Sequence, residues 1–513
     1  MNYLVDVGEW YAARLPLGER LASSTYINTQ KQAQTAHEPL TDAAQWFLLA
    51  AQEGQASAQY NVGFLYQHGQ GLQQNYEEAM KWYTRAASQG DAQAQYALGL
   101  LYELGEGVAQ SFEQAIYWYE LAAQSGNSAA QFNLGSLYHQ GRGIKQNFAA
   151  ALHWYTLAAN EQNSSALNNL AFLYHNGEGV EKNYAQARHY FLQAAQLGDA
   201  NAQFNLGYMY LKGRGGKEDN TQAAHWFLSA ALQEHTNAQF QIALLYQTGQ
   251  GVEKNEEEAR KWLHVAAQAG HVNAQYTLGL VSRKTNVKES MYWLHEAAAQ
   301  EHQSASYDLG MLYLQTHEVQ AAIKWLQRAA AKGHTAAQYE LAQLHLNGEH
   351  VPQNYHEAFK LLLAANAKPN AEIDYQIGAL YELGLGTKQS YEQAYRYYLV
   401  AAQANHLDAQ YSVALLLQKG LGISVDKEQA LYWLSQAAEK GLADAQYQLA
   451  LHHLQMTEYA LAAKWFRLAA QQQHAQAQYE LGLLYKKGLG VAQDYTKASH
   501  WLKQSLHTKN PVS

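Results

Sequence analysis

Residues 58–90 read AQYNVGFLYQHGQGLQQNYEEAMKWYTRAASQG, and residues 94–126 read AQYALGLLYELGEGVAQSFEQAIYWYELAAQSG. The second stretch restates the first 36 residues later, and the pattern recurs in thirteen units from Gln55 to Lys509. A period of about 20 to 50 residues marks a stacked array in which each unit buries its apolar face only against its neighbours. Such an array offers a long surface rather than one pocket. Holding other proteins is therefore the expected task.

Numbered from Gln55, the ninth position of each unit is Gly or Ala throughout, from Gly63, Gly99, Gly135 and Ala171 to Gly482. Glycine inside a helix costs about 1 kcal/mol relative to alanine, so close approach of a second helix must offset it. Apolar residues such as Tyr60, Val62, Leu65 and Tyr66 flank this point and give a broad buried stripe, helix A. A G-x-G turn follows in nine units, as in Gly69/Gly71 and Gly105/Gly107. Its first glycine suits the left-handed residue after a helix end. Helix B then carries A-x-x-W-x-x-x-A-A, as in Ala79, Trp82, Ala86 and Ala87. Spacings of three and four put these on one stripe. On this reading the tryptophans after Trp10 are core, and Trp46 marks a helix B ahead of the first full unit.

The chain has 513 residues, five prolines and 48% hydrophobic residues, which fits one continuous solenoid without internal linkers. Acidic residues outnumber basic ones, 44 to 35, for a net charge of −9. A phosphate-tracking surface needs clustered Lys and Arg, so nucleic acid is not an expected partner. The absence of cysteine excludes disulfides and Cys-based metal sites. The opening MNYLVDVGEWYAARLPLGER has no basic n-region, apolar stretch or small-residue cleavage site. No apolar run is long enough to span a membrane. A cytoplasmic location is expected, with periplasmic or secreted residence left open.

These units resemble Sel1-like repeats, relatives of the tetratricopeptide repeat. The pattern A-x-A-Q-Y-x-L-G-x-L-Y-x-x-G-x-G-V…N-Y-x-x-A-x-x-W-Y-x-x-A-A-x-x-G covers most of the chain. The resemblance implies an all-α fold, a right-handed α/α superhelical solenoid of about thirteen helix-pair repeats with A helices on its concave face. It also implies a non-enzymatic scaffold or adaptor that binds an extended peptide or a partner helix on that face.

Departures from the pattern set the expected organisation. Residues 1–54 form a helical N-terminal cap and partial repeat, and residues 55–270 form six regular 36-residue repeats. Residues 271–333 form two shortened repeats that lack the G-x-G turn, an expected bend and weak point. Residues 334–509 form five more repeats, with 442–473 shortened, and 510–513 are a tail. In the last helix B, Ser505-Leu506 replaces the alanine pair after Lys503 and Gln504, as a water-facing end requires. Trp501 and Leu502 keep apolar surface there. Self-association through the terminal repeats is therefore the alternative function, that of a structural or assembly protein.

Motifs for catalysis are missing: there is no G-x-S-x-G, no H-E-x-x-H and no phosphate loop. No enzyme activity, cofactor or metal is expected. Six histidines open units (His235, His271, His302, His334, His406, His474) and read as junction residues near a helix N-terminus. His345, His350 and His356 form the one local histidine cluster and read as a surface turn.

The seventh position matches a peptide-contact site of tetratricopeptide domains. Here it is Asn61, then Asn133, Asn169 and Asn205 in three consecutive units. Asn168 stands where the other units have Tyr or Phe, His139 and His175 fall further along helices A, and Lys212 sits near the same edge. Amides can donate to and accept from a peptide main chain without demanding a sequence. These eight residues form the candidate peptide-binding ridge, against the simpler reading that Asn is merely common there.

Overall fold

The computed structural model describes residues 39–367 and 369–509. The expected cap over residues 1–38 and the tail at 510–513 lie outside the described residues. Among those described there are 27 helices and no strand. The first, Pro39–Gln52, is a B helix, after which A and B helices alternate from Ala56–His68 and Tyr76–Ser88 to Ala475–Lys487 and Tyr495–Lys509. The chain divides into two compact units, one ending at Leu278 and one starting at Gly279. Each is described by itself.

Local chemistry explains where each helix starts and stops. Most B helices open on a side-chain cap, as when Asn75 accepts from the Glu78 backbone N–H and Asn147 from that of Ala150, whereas Glu318 and Glu458 open theirs without one. The A helix Ala56–His68 ends on Gly69, whose φ is 66° and whose N–H returns to the Leu65 carbonyl. The second turn glycine has a different reason. Gly107 has φ 69°, and a Cβ there would run into Tyr76, the first residue of the preceding B helix. Gly143 stands in the same relation to Phe112. The turn thus rests on the pair before it.

Two contacts lock the layers. A Cβ on Gly99 would lie 2.5 Å from the ring of Tyr119, and one on Gly63 would lie 2.6 Å from that of Tyr83. The small ninth residue is therefore the seat of a side chain from its own helix B: a ring at Gly63 and Gly99, and Leu294, Leu326 and Leu502 at Gly279, Gly310 and Gly482. The recurrent Gln of A-x-A-Q makes the second contact. Gln95 Nε2 donates to the Ala87 carbonyl at 3.2 Å and Gln131 to that of Ala123 at 3.1 Å, tying each A helix to the end of the B helix before it.

This geometry corrects the tryptophan reading. The fully buried ring is the residue after Trp, as in Tyr83, Tyr119, Tyr155 and Phe227, or after Tyr190 in the case of Phe191. It completes the stripe through Ala79, Ala86 and Ala87, whereas Trp lies on the flank of that stripe. Trp82 and Trp293 are buried, but Trp118, Trp154 and Trp226 are only partly so. Trp46, on the first described helix, is 73% exposed. Ser505 is also not water-facing: it is buried and bonds the Leu502 carbonyl at 2.7 Å, while Leu506 takes the exposed position. In the shortened repeat of the C-terminal unit, Ser290 Oγ donates to the Gly279 carbonyl at 2.6 Å.

Gly99→Ala tests the ring seat. Helix propensity alone would stabilise the variant by about 1 kcal/mol, but crowding a packed, buried ring costs about 1–3 kcal/mol. The urea midpoint should fall. A raised midpoint would contradict the seat.

Candidate functional site

In the N-terminal unit the seventh-position amides meet tyrosine hydroxyls of the preceding repeat. Asn133 Nδ2 donates to Tyr119 Oη at 3.2 Å, and that hydroxyl donates to Glu103 Oε2 at 2.6 Å. Asn169 Nδ2 donates to Tyr155 Oη at 3.2 Å, which in turn reaches Ser136 Oγ at 3.1 Å. Asn168 Nδ2 reaches Asn169 Oδ1, and Asn205 Nδ2 reaches Asn168 Oδ1 at 3.3 Å. Phe191 and Phe227 replace the tyrosines in the last two of these repeats, which is why Asn205 turns to Asn168 instead. Asn205 is fully buried, and its Oδ1 has no partner. Burial raises the pKa of the Glu103 carboxyl, opposed by the Tyr119 hydrogen bond and by Arg142. It pushes Tyr155 up to about 12.

A second row follows the turns. The central residue of G-x-G is Glu106, Arg142, Glu178 and Arg214 in successive repeats. His139 Nε2 lies 3.0 Å from Glu178 Oε2, and Arg214 donates to His175 Nε2 at 3.0 Å. Because arginine can only donate, His175 carries its proton on Nδ1 and gives it to Asn176 Oδ1 at 2.9 Å. Burial lowers the His175 pKa, with Arg214 and Lys182 adding to the effect.

Six of the eight ridge residues are thus brought into these two rows. Asn61 is half-buried one repeat ahead of Gly99, and Lys212 is exposed at the end of helix Ala200–Leu211. The partners Tyr119, Tyr155, Glu103, Glu178 and Arg214 escaped the sequence reading. The 36-residue alternation of Glu106, Arg142, Glu178 and Arg214 was their visible signal.

The A-helix face of the C-terminal unit has another character. Each of its A helices from Gln303–Gln315 onward carries a carboxylate at the third or seventh position: Asp308, Glu340, Glu372, Asp408, Asp444 and Glu480. Positions three and seven share one helix face. Half-buried tyrosines stand between them. Burial, and then the neighbouring carboxylates, raise the pKa values of Tyr307 (with Glu340 and Asp308), Tyr339 (with Glu372 and Glu340) and Tyr375 (with Asp408, Glu382 and Glu372). The same holds for Tyr411 with Asp444 and Tyr447 with Glu480. Some of these acids have basic neighbours: Arg283 is 3.9 Å from Asp308, His406 is 3.1 Å from Glu372 and His474 is 3.1 Å from Asp444. Burial alone raises the pKa of Glu340. Helices A of the N-terminal unit, by contrast, carry a single carboxylate, Glu103.

The six unit-opening histidines are N-caps, each accepting a backbone N–H at Nδ1, as His235 does from Ala238 and His474 from Ala477. In the remaining cluster, His350 is exposed with φ 67° in place of the second turn glycine, and His356 Nδ1 lies 3.1 Å from the Gly386 carbonyl.

Stacked helix pairs that repeat one interhelix seat and align their seventh positions define an α/α repeat solenoid. The Sel1 repeat model matches residues 40–55, 56–91 and twelve further segments through 475–506, and the chain belongs to that family. It is similar to a protective antigen of uropathogenic Escherichia coli with an SLR fold: 28% identity and TM-score 0.54, covering 91% of this chain and 95% of that one. A Sel1 repeat protein of Oxalobacter formigenes is 34% identical at TM-score 0.42, covering 44% of this chain and 91% of its own. No curated protein matches the chain. Sel1 repeats generally mediate protein–protein interaction, and the fold is typically non-catalytic.

Asn133→Ala and Asn169→Ala each remove a donor from a buried hydroxyl and should cost roughly 1 kcal/mol in urea denaturation. Tyr119→Phe, which strips both the Glu103 carboxyl and the Asn133 amide, should cost about 1–3 kcal/mol. A neutral Asn169→Ala would show that the row is not structural.

Proposed function

We propose that the chain is a non-enzymatic scaffold that binds an extended protein segment along its A-helix face, and that the C-terminal unit takes a basic stretch of that segment. The supporting observation is the alternation of tyrosine rings and carboxylates over successive A helices. Carboxylates attract lysine and arginine and set on-rate and specificity, while tyrosine faces accept a cation within about 6 Å of the ring. The amide-lined face of the N-terminal unit suits an uncharged main chain. Of the ridge residues, the accessible Asn61, Asn133, His139 and Lys212 mark its course, while the buried Asn168, Asn169, Asn205 and His175 lie beneath it. Asn133 is half-buried and already donates to Tyr119, so it would offer the peptide its carbonyl oxygen.

Self-association remains a second reading because Trp46 and Leu506, on the first and last described helices, are 73% and 68% exposed. Sedimentation velocity decides it: a sedimentation coefficient constant across concentration excludes it.

The main reading is tested with a fluorescent arginine- and lysine-rich peptide and a glutamine-substituted control. The basic peptide should bind more tightly, and its affinity should fall with added salt. A Glu340→Gln, Asp408→Asn, Glu480→Gln variant should weaken it roughly tenfold, from a few tenths to 1 kcal/mol per charge. Equal binding of both peptides, or an unaffected variant, would refute the basic-segment reading.

A further inference from the structure

Two junctions of the N-terminal unit use histidine where the four before them use Asp91, Asn127, Asn163 and Asp199. His235 caps Thr236–Thr248, and His271 precedes Val272–Ser282. Nδ1 of each accepts a backbone N–H at 3.1 Å, from Ala238 and Ala274 respectively. Each ring also lies against a phenylalanine of the preceding A helix. The His235 centroid is 4.6 Å from that of Phe204 at 25°, and the His271 centroid is 4.5 Å from that of Phe240 at 28°. A nitrogen that accepts this bond cannot also hold a proton, so the cap exists only on the neutral ring.

Among the described residues no carboxylate pairs with either ring, although the neutral Asn237 and Asn273 lie beside His271. Phenylalanine lies on one side of each, the backbone N–H of each histidine returns to an alanine carbonyl of the helix before it, and burial is the main influence on its titration. The nearest ionisable residue in sequence, Glu234, is exposed beside His235. Junctions of the C-terminal unit differ. There His406 Nε2 lies 3.1 Å from Glu372 and His474 Nε2 lies 3.1 Å from Asp444, so a carboxylate stands ready for a protonated ring.

We propose that His235 and His271 form an acid-released latch: proton uptake at Nδ1 uncaps their two helices and loosens residues 236–278 while the preceding repeats stay folded. Burial lowers both groups from 6.5 to about 4. The unfolded junction therefore binds protons first as pH falls. The stabilisation is complete above about pH 6.5 and is lost between there and pH 4. At pH 5 the loss amounts to about thirtyfold per histidine in the local opening equilibrium.

Hydrogen exchange of the full chain at pH 7.5 and pH 5, corrected for intrinsic rates, tests this on wild type and on a His235→Asn, His271→Asn variant. Asparagine keeps the cap, as Asn127 and Asn163 do at earlier junctions. In wild type, protection within Thr236–Thr248 should fall about thirtyfold at pH 5, with Ala92–Leu104 unchanged; the variant should keep its protection. Unchanged wild-type protection, or an equal loss in the variant, overturns the latch. If the variant does not fold, ring-proton NMR of the wild type decides. Two of the 23 histidines should titrate below pH 5, and a set that titrates uniformly near the free value overturns the proposal.

Discussion

The structure depends on how closely helices A and B of one repeat approach. At Gly99 there is no room for a side chain because the Tyr119 ring occupies its place. That ring is fully buried, yet its hydroxyl must be satisfied. It donates to Glu103 of its own repeat and accepts from Asn133 of the next. One steric constraint therefore also positions the polar link between repeats. Where the ring is Phe191, the hydroxyl link disappears and Asn205 bonds to Asn168 instead.

Much of this was legible in the sequence because it is periodic. The small ninth position, the capping first glycine and the junction histidines recur at fixed spacing, and each has one physical reading. Burial within helix B was less legible. Trp82 and Tyr83 are adjacent and both aromatic, and spacing alone does not say which one sits on the glycine. The ridge was harder still. An asparagine at the seventh position looks the same whether its amide faces solvent or a neighbour's hydroxyl, and only the fold brings Asn169 to Tyr155.

The charge contrast between the two A-helix faces bears most on function. Carboxylates at positions three and seven of the C-terminal unit pack no core and cap no helix; alanines and Leu309 or Leu341 do the packing beside them. Holding Glu340 partly out of water raises its pKa without a cation to offset the cost. Such an arrangement costs the free protein some stability. The N-terminal unit bonds most of its row amides internally, Asn205 Oδ1 excepted, and its face is chemically milder.

Site-specific photo-crosslinking tests the central claim most directly. A photoreactive side chain would replace Glu340 or Asp408 on the A-helix face, or the exposed Tyr432 or Lys464 on helices B. Each protein would then be irradiated with the arginine- and lysine-rich peptide. Adducts from the A-helix positions, suppressed by salt and absent from the B positions, are the predicted result. Adducts from Tyr432 or Lys464, with none from Glu340 and Asp408, would place binding on the opposite surface and contradict the claim.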